Sequence, residues 1–446
     1  MKKSILLLPV FIYNTLIAQN PIVPPGVYMA DPAAQVWNDG RLYLYCSVDE
    51  SVNWYCSRKY HVLSTGDMDH WKLHENSFAS DGPGDEVPYN DNLLFAPDCM
   101  FRNGKYYLYY CQPDRENAEG VAVSKKPTGP FRRGRPMDVG GYNQIDPGVF
   151  IDDDGQAYYI WGQFTLKMSK LRPDMLELEK GSIRDSVLTE QEHFFHEGAY
   201  MTKRNGLYYL VYADMSRNQA PTCIGYATSK NPMGPYKYRG VIIDNDQSDP
   251  QCWNNHGSIA AYGDQWYVFY HRSTHNSRKM RKACVEPIFF DENGSIPEVE
   301  MTSQGAGDPL SATEKIDAAR ACWMFGNVRI EQVAASNEAL CKTRHNDRAV
   351  IRYVDFGKGG IDKVTLKVRP GNVNGTIQLK PDYPWRGSIA SVNIEASAEE
   401  NPEWITLTAD VSDIDGIHAL WIQFYGDAGS GELGCDLDEI VFHIDP

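Results

Sequence analysis

Beyond its first two dozen residues the chain has no apolar run long enough to cross a bilayer, and it carries no Cys-x-x-Cys pair. The first absence leaves no membrane span in the body of the protein. The second removes the common zinc and dithiol frameworks. Positive charge is also scarce, with 43 Lys and Arg against 59 Asp and Glu and a formal charge of −16. Such a surface repels nucleic acid and anionic lipid, so neither nucleic-acid binding nor membrane insertion is expected. Helical periodicity is missing between the apolar segments. What the chain does have in quantity is 27 Tyr, 37 Gly and 26 Pro among 446 residues, a mixture that favours many short strands joined by turns. That length calls for two or three domains.

The N-terminus joins Lys2 and Lys3 to a mainly apolar stretch over 5–17, followed by Ala18 and Gln19. A basic segment before an apolar one reads as a secretory signal peptide over 1–18, which places the protein in a secreted or periplasmic location. The first cysteine, Cys46, lies far from that cleavage point, so lipid anchoring there is not expected. Ten cysteines in an exported chain could form disulfides, but Cys46, Cys111, Cys223 and Cys284 sit in apolar strand patterns that suit buried free thiols equally well.

Five times the chain returns to a turn followed by an aromatic strand: NDGRLYLYC, RNGKYYLYYC, DDGQAYYIWG, RNGLYYLVYA and YGDQWYVFYH. Tyr43, Tyr107, Tyr159, Tyr209 and Tyr267 mark the phase, at spacings of 64, 52, 50 and 58 residues. A period of this length holds a four-stranded unit with variable loops. A second motif, Ser-Lys-x-Pro-x-Gly-Pro-aromatic, recurs at 124–131 and 229–236, with looser versions near 64 and 169. The expected fold is all-β, a five-bladed β-propeller over 19–300. After it come a polar linker at 301–313 and short alternating strands over 314–446 that read as a β-sandwich of jelly-roll type.

Ahead of each turn stands one ionisable residue at nearly the same phase: Asp31, Asp98, Asp146, Glu197 and His256. Propeller blades aim the start of their innermost strand at the central channel, so these groups should converge. Crowded carboxylates cannot all ionise normally, and dividing them into one protonated acid and one ionised base is what glycosidic cleavage requires. Asp31 and Asp146 each precede a proline, which favours extended backbone at both. Asp98 is read as either a strand-start cap or a pocket residue. His256 is read as a channel histidine holding an acid, a water or a metal. Arg272 is placed to pair with Asp146 or bind sugar hydroxyls, and Trp71, Phe95 and Trp253 to stack on sugar.

At MADPAAQVW, FAPDCMF, IDPGVFIDDDG and HEGAY the sequence resembles glycoside hydrolase family 43, over roughly 25–300. The resemblance implies Asp31 as general base, Glu197 as general acid and Asp146 as the residue that tunes and orients Glu197, with inversion at the anomeric carbon. It implies a plant cell-wall carbohydrate as substrate and no required cofactor, with structural calcium near His256 allowed. Retention of Asp31 points to α-L-arabinofuranosidase first and β-D-xylosidase second. A non-catalytic glycan-binding propeller is the alternative of another class. Residues 314–446 resemble carbohydrate-binding module family 6, although Asp317 and Ala319 stand where its calcium glutamates usually are, only the structural tryptophan, Trp404, is present without the sugar-stacking one before it, and Asp436 replaces the usual asparagine.

Overall fold

The computed structural model describes residues 19–114, 116–426 and 434–444; the expected leader over 1–18 lies outside them. Almost all regular structure is β, arranged as seven antiparallel or mixed sheets. Five sheets follow one another between Met29 and Ile288. Each phase-marking tyrosine falls on the second strand of its sheet, in Leu42–Val48, Lys105–Cys111, Ala157–Trp161, Leu207–Asp214 and Gln265–Thr274. The Ser-Lys motif closes the third strand of the second and fourth sheets, Glu119–Ser124 and Cys223–Ser229.

The first strands of the five sheets are Met29–Val36, Phe95–Arg102, Gly148–Ile151, Phe195–Arg204 and Ser258–Tyr262. Each touches the next, and the fifth touches the first, so they close a ring. Three sheets have the expected four strands, whereas the third and fifth have three. In the third sheet, residues after Leu171 turn back through isolated bridges, Leu171 to Leu178 and Met168 to Arg184, instead of forming a strand. In the fifth, the segment at 20–22 lies against the outer strand. Ile22 N–H donates to Ala283 O at 3.0 Å, and the Asn20 side chain exchanges bonds with the Val285 backbone at 2.8 and 2.9 Å.

The ring explains the tyrosines. Many of their rings pack in the cores between sheets while the hydroxyls reach acceptors, several of them backbone carbonyls on other segments. Tyr200 donates to Ala34 O at 2.7 Å, Tyr109 to Met175 O at 2.8 Å and Tyr209 to Gly294 O at 2.7 Å. A phenylalanine would leave those carbonyls unpaired, which costs about 1–3 kcal/mol for each buried group. All ten cysteines are free thiols, nine of them buried.

From Leu310 onward two sheets of six strands pack over one core, with Ile351, Leu379 and Ile422 on one side meeting Leu340, Leu366 and Ile440 on the other. The segment joining the ring to this unit is tightly packed at its start. Met301, Thr302 and Ser303 are buried, and Ser303 N–H donates to Arg352 O at 2.6 Å.

Candidate active site

The first strands of the first, second and fourth sheets lose register where their acidic residues sit, between Ala30 and Ala33, between Phe95 and Asp98, and on both sides of Glu197. Bulges of this kind re-aim a side chain out of the regular alternation. Asp31 and Asp146 adopt φ of 56° and 63°. This corrects the expectation of extended backbone before proline. Left-handed backbone at a non-glycine residue is strained and persists where surrounding contacts impose it. At both positions the buried hydrogen bonds of the carboxylate or backbone supply that constraint. Beside Glu197, Gly198 has a φ of 68°, and a Cβ there would fall 2.8 Å from the His256 ring.

At one mouth of the ring lies a cavity of about 230 Å³ lined by Asp31, Asp146, Glu197, His256, Phe95 and Trp253, together with Arg281, Gln163, His196, Asn254 and Tyr55. The structure therefore brings together Asp31, Asp146, Glu197, His256, Phe95 and Trp253. Trp253 is 38 % exposed at the rim, with Arg278 over its ring at 5.5 Å.

Asp31 is 4 % exposed, yet its surroundings hold it as an anion. Burial alone would push its pKa up, but the Arg281 guanidinium, aided by His256, His271 and the Ser47 hydroxyl, outweighs this and holds it at about 2. Arg281 Nη1 donates to Asp31 Oδ1 at 2.8 Å, and Ser47 Oγ donates to Oδ2 at 2.6 Å. Arg281 is itself fixed by Asp49, to which Nε and Nη2 each donate at 2.9 Å. His271 is buried and kept neutral by burial, at about 3, so that its Nδ1 accepts the Asp31 N–H at 3.3 Å.

The other two carboxyls have no such cation. Burial pushes Asp146 well up, and the carboxylates of Glu197 and Asp31 push it further. Asp146 therefore keeps its proton when Asp31 is ionised. Glu197 Oε2 accepts from Gln163 Nε2 at 2.7 Å, and His196 Nε2 stands 4.0 Å away. His256 Nδ1 lies 3.6 Å from Asp31 and 3.9 Å from Asp146, and burial lowers its pKa, leaving a neutral ring between two acids. Asn254 lines the cavity wall, with its Oδ1 buried and without a hydrogen-bond partner in the protein.

Three expected pocket residues lie elsewhere. Arg272 is buried behind the fifth sheet, 3.6 Å from Glu286 and bonded to Tyr270 and Thr302, because alternation on Gln265–Thr274 turns it away from the side on which His271 meets Asp31. Trp71 is packed edge-on against Phe269 in the core between the first and fifth sheets. Asp98 is enclosed one layer behind the cavity, where its carboxyl accepts from Gln35, Cys99 N–H and Val149 N–H at 3.1, 2.7 and 2.8 Å. Burial raises it to about 7, and it works as a cap joining the first three inner strands. Among the described residues no group of three or more His, Cys, Asp or Glu side chains converges on a metal position. The calcium that the family resemblance allows near His256 therefore has no site shown here, and no step is assigned to it.

Arg281, Asp49, Gln163 and His271 were not signalled by the sequence pattern. Arg281 lies in SRKMRKAC, a basic run that reads as a solvated strand, yet Ser277–Ile288 is mostly buried.

An ionised carboxylate, a proton-holding carboxyl and a third carboxyl lining one open cavity are the equipment of a glycoside hydrolase. The family model for glycosyl hydrolases family 43 matches residues 18–296, and the chain belongs to that family. It is 29 % identical to a xylosidase/arabinosidase of Thermoclostridium stercorarium, over 93 % of this chain and 97 % of that one. A solved β-xylosidase/α-arabinofuranosidase from a compost metagenome, in complex with xylotriose, is 28 % identical, covers 64 % of this chain and 97 % of its own, and has a TM-score of 0.54. The arabinoxylan arabinofuranohydrolase of Bacillus subtilis shares the fold over 96 % of this chain and 99 % of its own, with 24 % identity and a TM-score of 0.54.

Proposed function

We propose that this glycoside hydrolase removes α-L-arabinofuranosyl units from plant cell-wall polysaccharide with inversion, β-D-xylosidase action being the second reading. The observation that carries the mechanism is the division of charge in one cavity, with Asp31 held ionised by Arg281 and Asp146 kept protonated by burial and by its carboxylate neighbours. Asp31 takes a proton from water as that water attacks the anomeric carbon. Glu197 gives a proton to the departing glycosidic oxygen. Asp146, raised by burial, steers that proton to Glu197 and orients its carboxyl. Inversion needs two carboxyls far enough apart for a water beside the sugar. The xylosidase reading draws on the relatives above, whose names carry both activities.

The closed ring of five sheets supports a five-bladed propeller over 19–300, and the two packed sheets support a carbohydrate-binding β-sandwich over 314–446, joined by 301–313. In that sandwich Arg369 lies 5.1 Å over the half-buried Trp404 ring and pairs with Asp436. The exposed aromatics are instead Tyr383 and Trp385, stacked at 5.0 Å, with Trp385 78 % exposed. Export follows from the basic and apolar N-terminal segment.

The experiment is an assay on nitrophenyl α-L-arabinofuranoside, nitrophenyl β-D-xylopyranoside and arabinoxylan. Faster release from the arabinofuranoside supports the first reading, faster release from the xylopyranoside the second. No release from any of the three overturns both.

A further inference from the structure

The C-terminal unit touches the ring directly behind the catalytic cavity. Arg281 and Lys282 are consecutive on Ser277–Ile288, so their side chains leave opposite faces of that strand. Arg281 points to Asp31, while Lys282 meets Glu338 on Asn337–Cys341 of the C-terminal unit. Both members of that ion pair are buried, with side chains 2 % and 4 % exposed. The same glutamate accepts the Gly26 N–H at 3.2 Å, and Lys282 also donates to Pro24 O at 3.3 Å. Residues 24–28 lead directly into Met29–Val36, the strand that bears Asp31.

Further contacts continue the same surface. Tyr28 meets His275 edge-on at 5.1 Å. His275 N–H donates to Ile330 O at 2.9 Å, and Gln332 N–H donates to His275 Nε2 at 3.4 Å. Met324 N–H donates to Gln247 O at 2.7 Å, at the base of the loop that carries Trp253, Asn254 and His256. Asn276 N–H ties the 274–277 turn to Asp249 in that same loop at 3.0 Å.

We infer that Glu338 is a positioning residue for catalysis, and that the C-terminal unit fixes the active site as well as any carbohydrate it binds. Glu338 clamps the entry to the Asp31 strand against the strand that carries Arg281. It therefore sets the 2.8 Å contact that keeps the general base ionised and aimed. The pair is poorly suited to serve stability alone, because two desolvated charges commonly give no net gain over an apolar pair of the same shape.

This inference rests on the proposed glycosidase activity, so the wild-type full chain is assayed first on a nitrophenyl glycoside, a substrate too small to need a second binding surface. An inactive wild type defeats the functional reading and not the clamp. With activity established, Glu338→Gln keeps the shape and the Gly26 contact but loses the charge. The neutral pair K282Q/E338Q leaves no unpaired buried charge and serves as the second variant should E338Q fail to fold. The expected result, read below the melting temperature of each variant, is a fall of at least tenfold in kcat with KM within about twofold. A role confined to stability would lower the melting temperature and leave kcat at the wild-type value in the folded protein. Wild-type kcat in either folded variant overturns the inference.

Discussion

Replacing Arg281 by methionine, with Asp49→Asn to avoid an orphaned buried carboxylate, removes the cation from the base while retaining the cavity. Leaving Asp49 unpaired would itself destabilise by about 3–5 kcal/mol. The size of the effect can be read from Asp98, a carboxyl as buried as Asp31 and similarly supplied with hydrogen bonds but lacking a cation, which burial raises to about 7. Without Arg281, Asp31 should move from about 2 into that same range. The ionised fraction of the base at pH 5 would then drop from nearly complete to roughly one in a hundred. The assay is the pH dependence of kcat/KM, which reports the free enzyme. Wild type should show no acid limb from the base above pH 4. R281M/D49N should lose activity about tenfold per pH unit below 7. A variant that keeps the wild-type acid side would refute the claim that Arg281 sets the ionisation of Asp31.

Glu197→Gln should lower kcat by about 10²–10⁴ on substrates with poor leaving groups and much less on nitrophenyl glycosides, whose leaving group needs little protonation. Equal losses on both would remove Glu197 as the acid. The pH dependence of folding should also be unusual. Burial raises Asp98 to about 7, Glu119 to about 8 and Glu286 to about 7, so at these three sites the folded state binds more protons than the unfolded chain between pH 4 and 8. That contribution is complete below pH 4 and is lost as pH rises through 7–8, whereas the depressed Asp31 loses its contribution as pH falls from 4 to 2. Below about pH 6.5 buried histidines such as His271, lowered to about 3, act in the opposite direction, so the melting temperature should fall between pH 7 and 8, with a shallower fall in Glu119→Gln. A rise over that interval would contradict these protonation states. Trp385→Ala should abolish retardation of the protein in gels containing arabinoxylan while leaving hydrolysis of nitrophenyl glycosides intact. Unchanged retardation would remove the exposed indole as a binding surface.

Much of the ring was legible because its period is written in residues whose local preferences and tertiary roles agree. Turn glycines and strand tyrosines recur at one phase, and all five markers occupy equivalent strands. The acidic residues were legible through the same phase, since inner strand starts converge by symmetry of the repeat. Side-chain direction within a strand was not legible at Arg272 and Trp71, where alternation and packing chose the outward or core face. The backbone at Asp31 and Asp146 also departed from the local bias of the following proline, overridden at Asp31 by a bulge and at Asp146 by a turn ahead of its strand whose N–H is held by Cys111. Arg281 was hidden for a different reason. Its value comes from Asp31 and Asp49, more than two hundred residues away in the chain, and no local pattern records a partner at that separation.

Proton magnetic resonance of the first minutes of hydrolysis tests the division of roles between Asp31 and Glu197 most directly. If water attacks with Asp31 as base while Glu197 protonates the leaving oxygen, the free sugar must first appear with the anomeric configuration opposite to that of the substrate, before mutarotation mixes the two. Initial appearance of the retained anomer would mean a covalent glycosyl-enzyme and would contradict the mechanism.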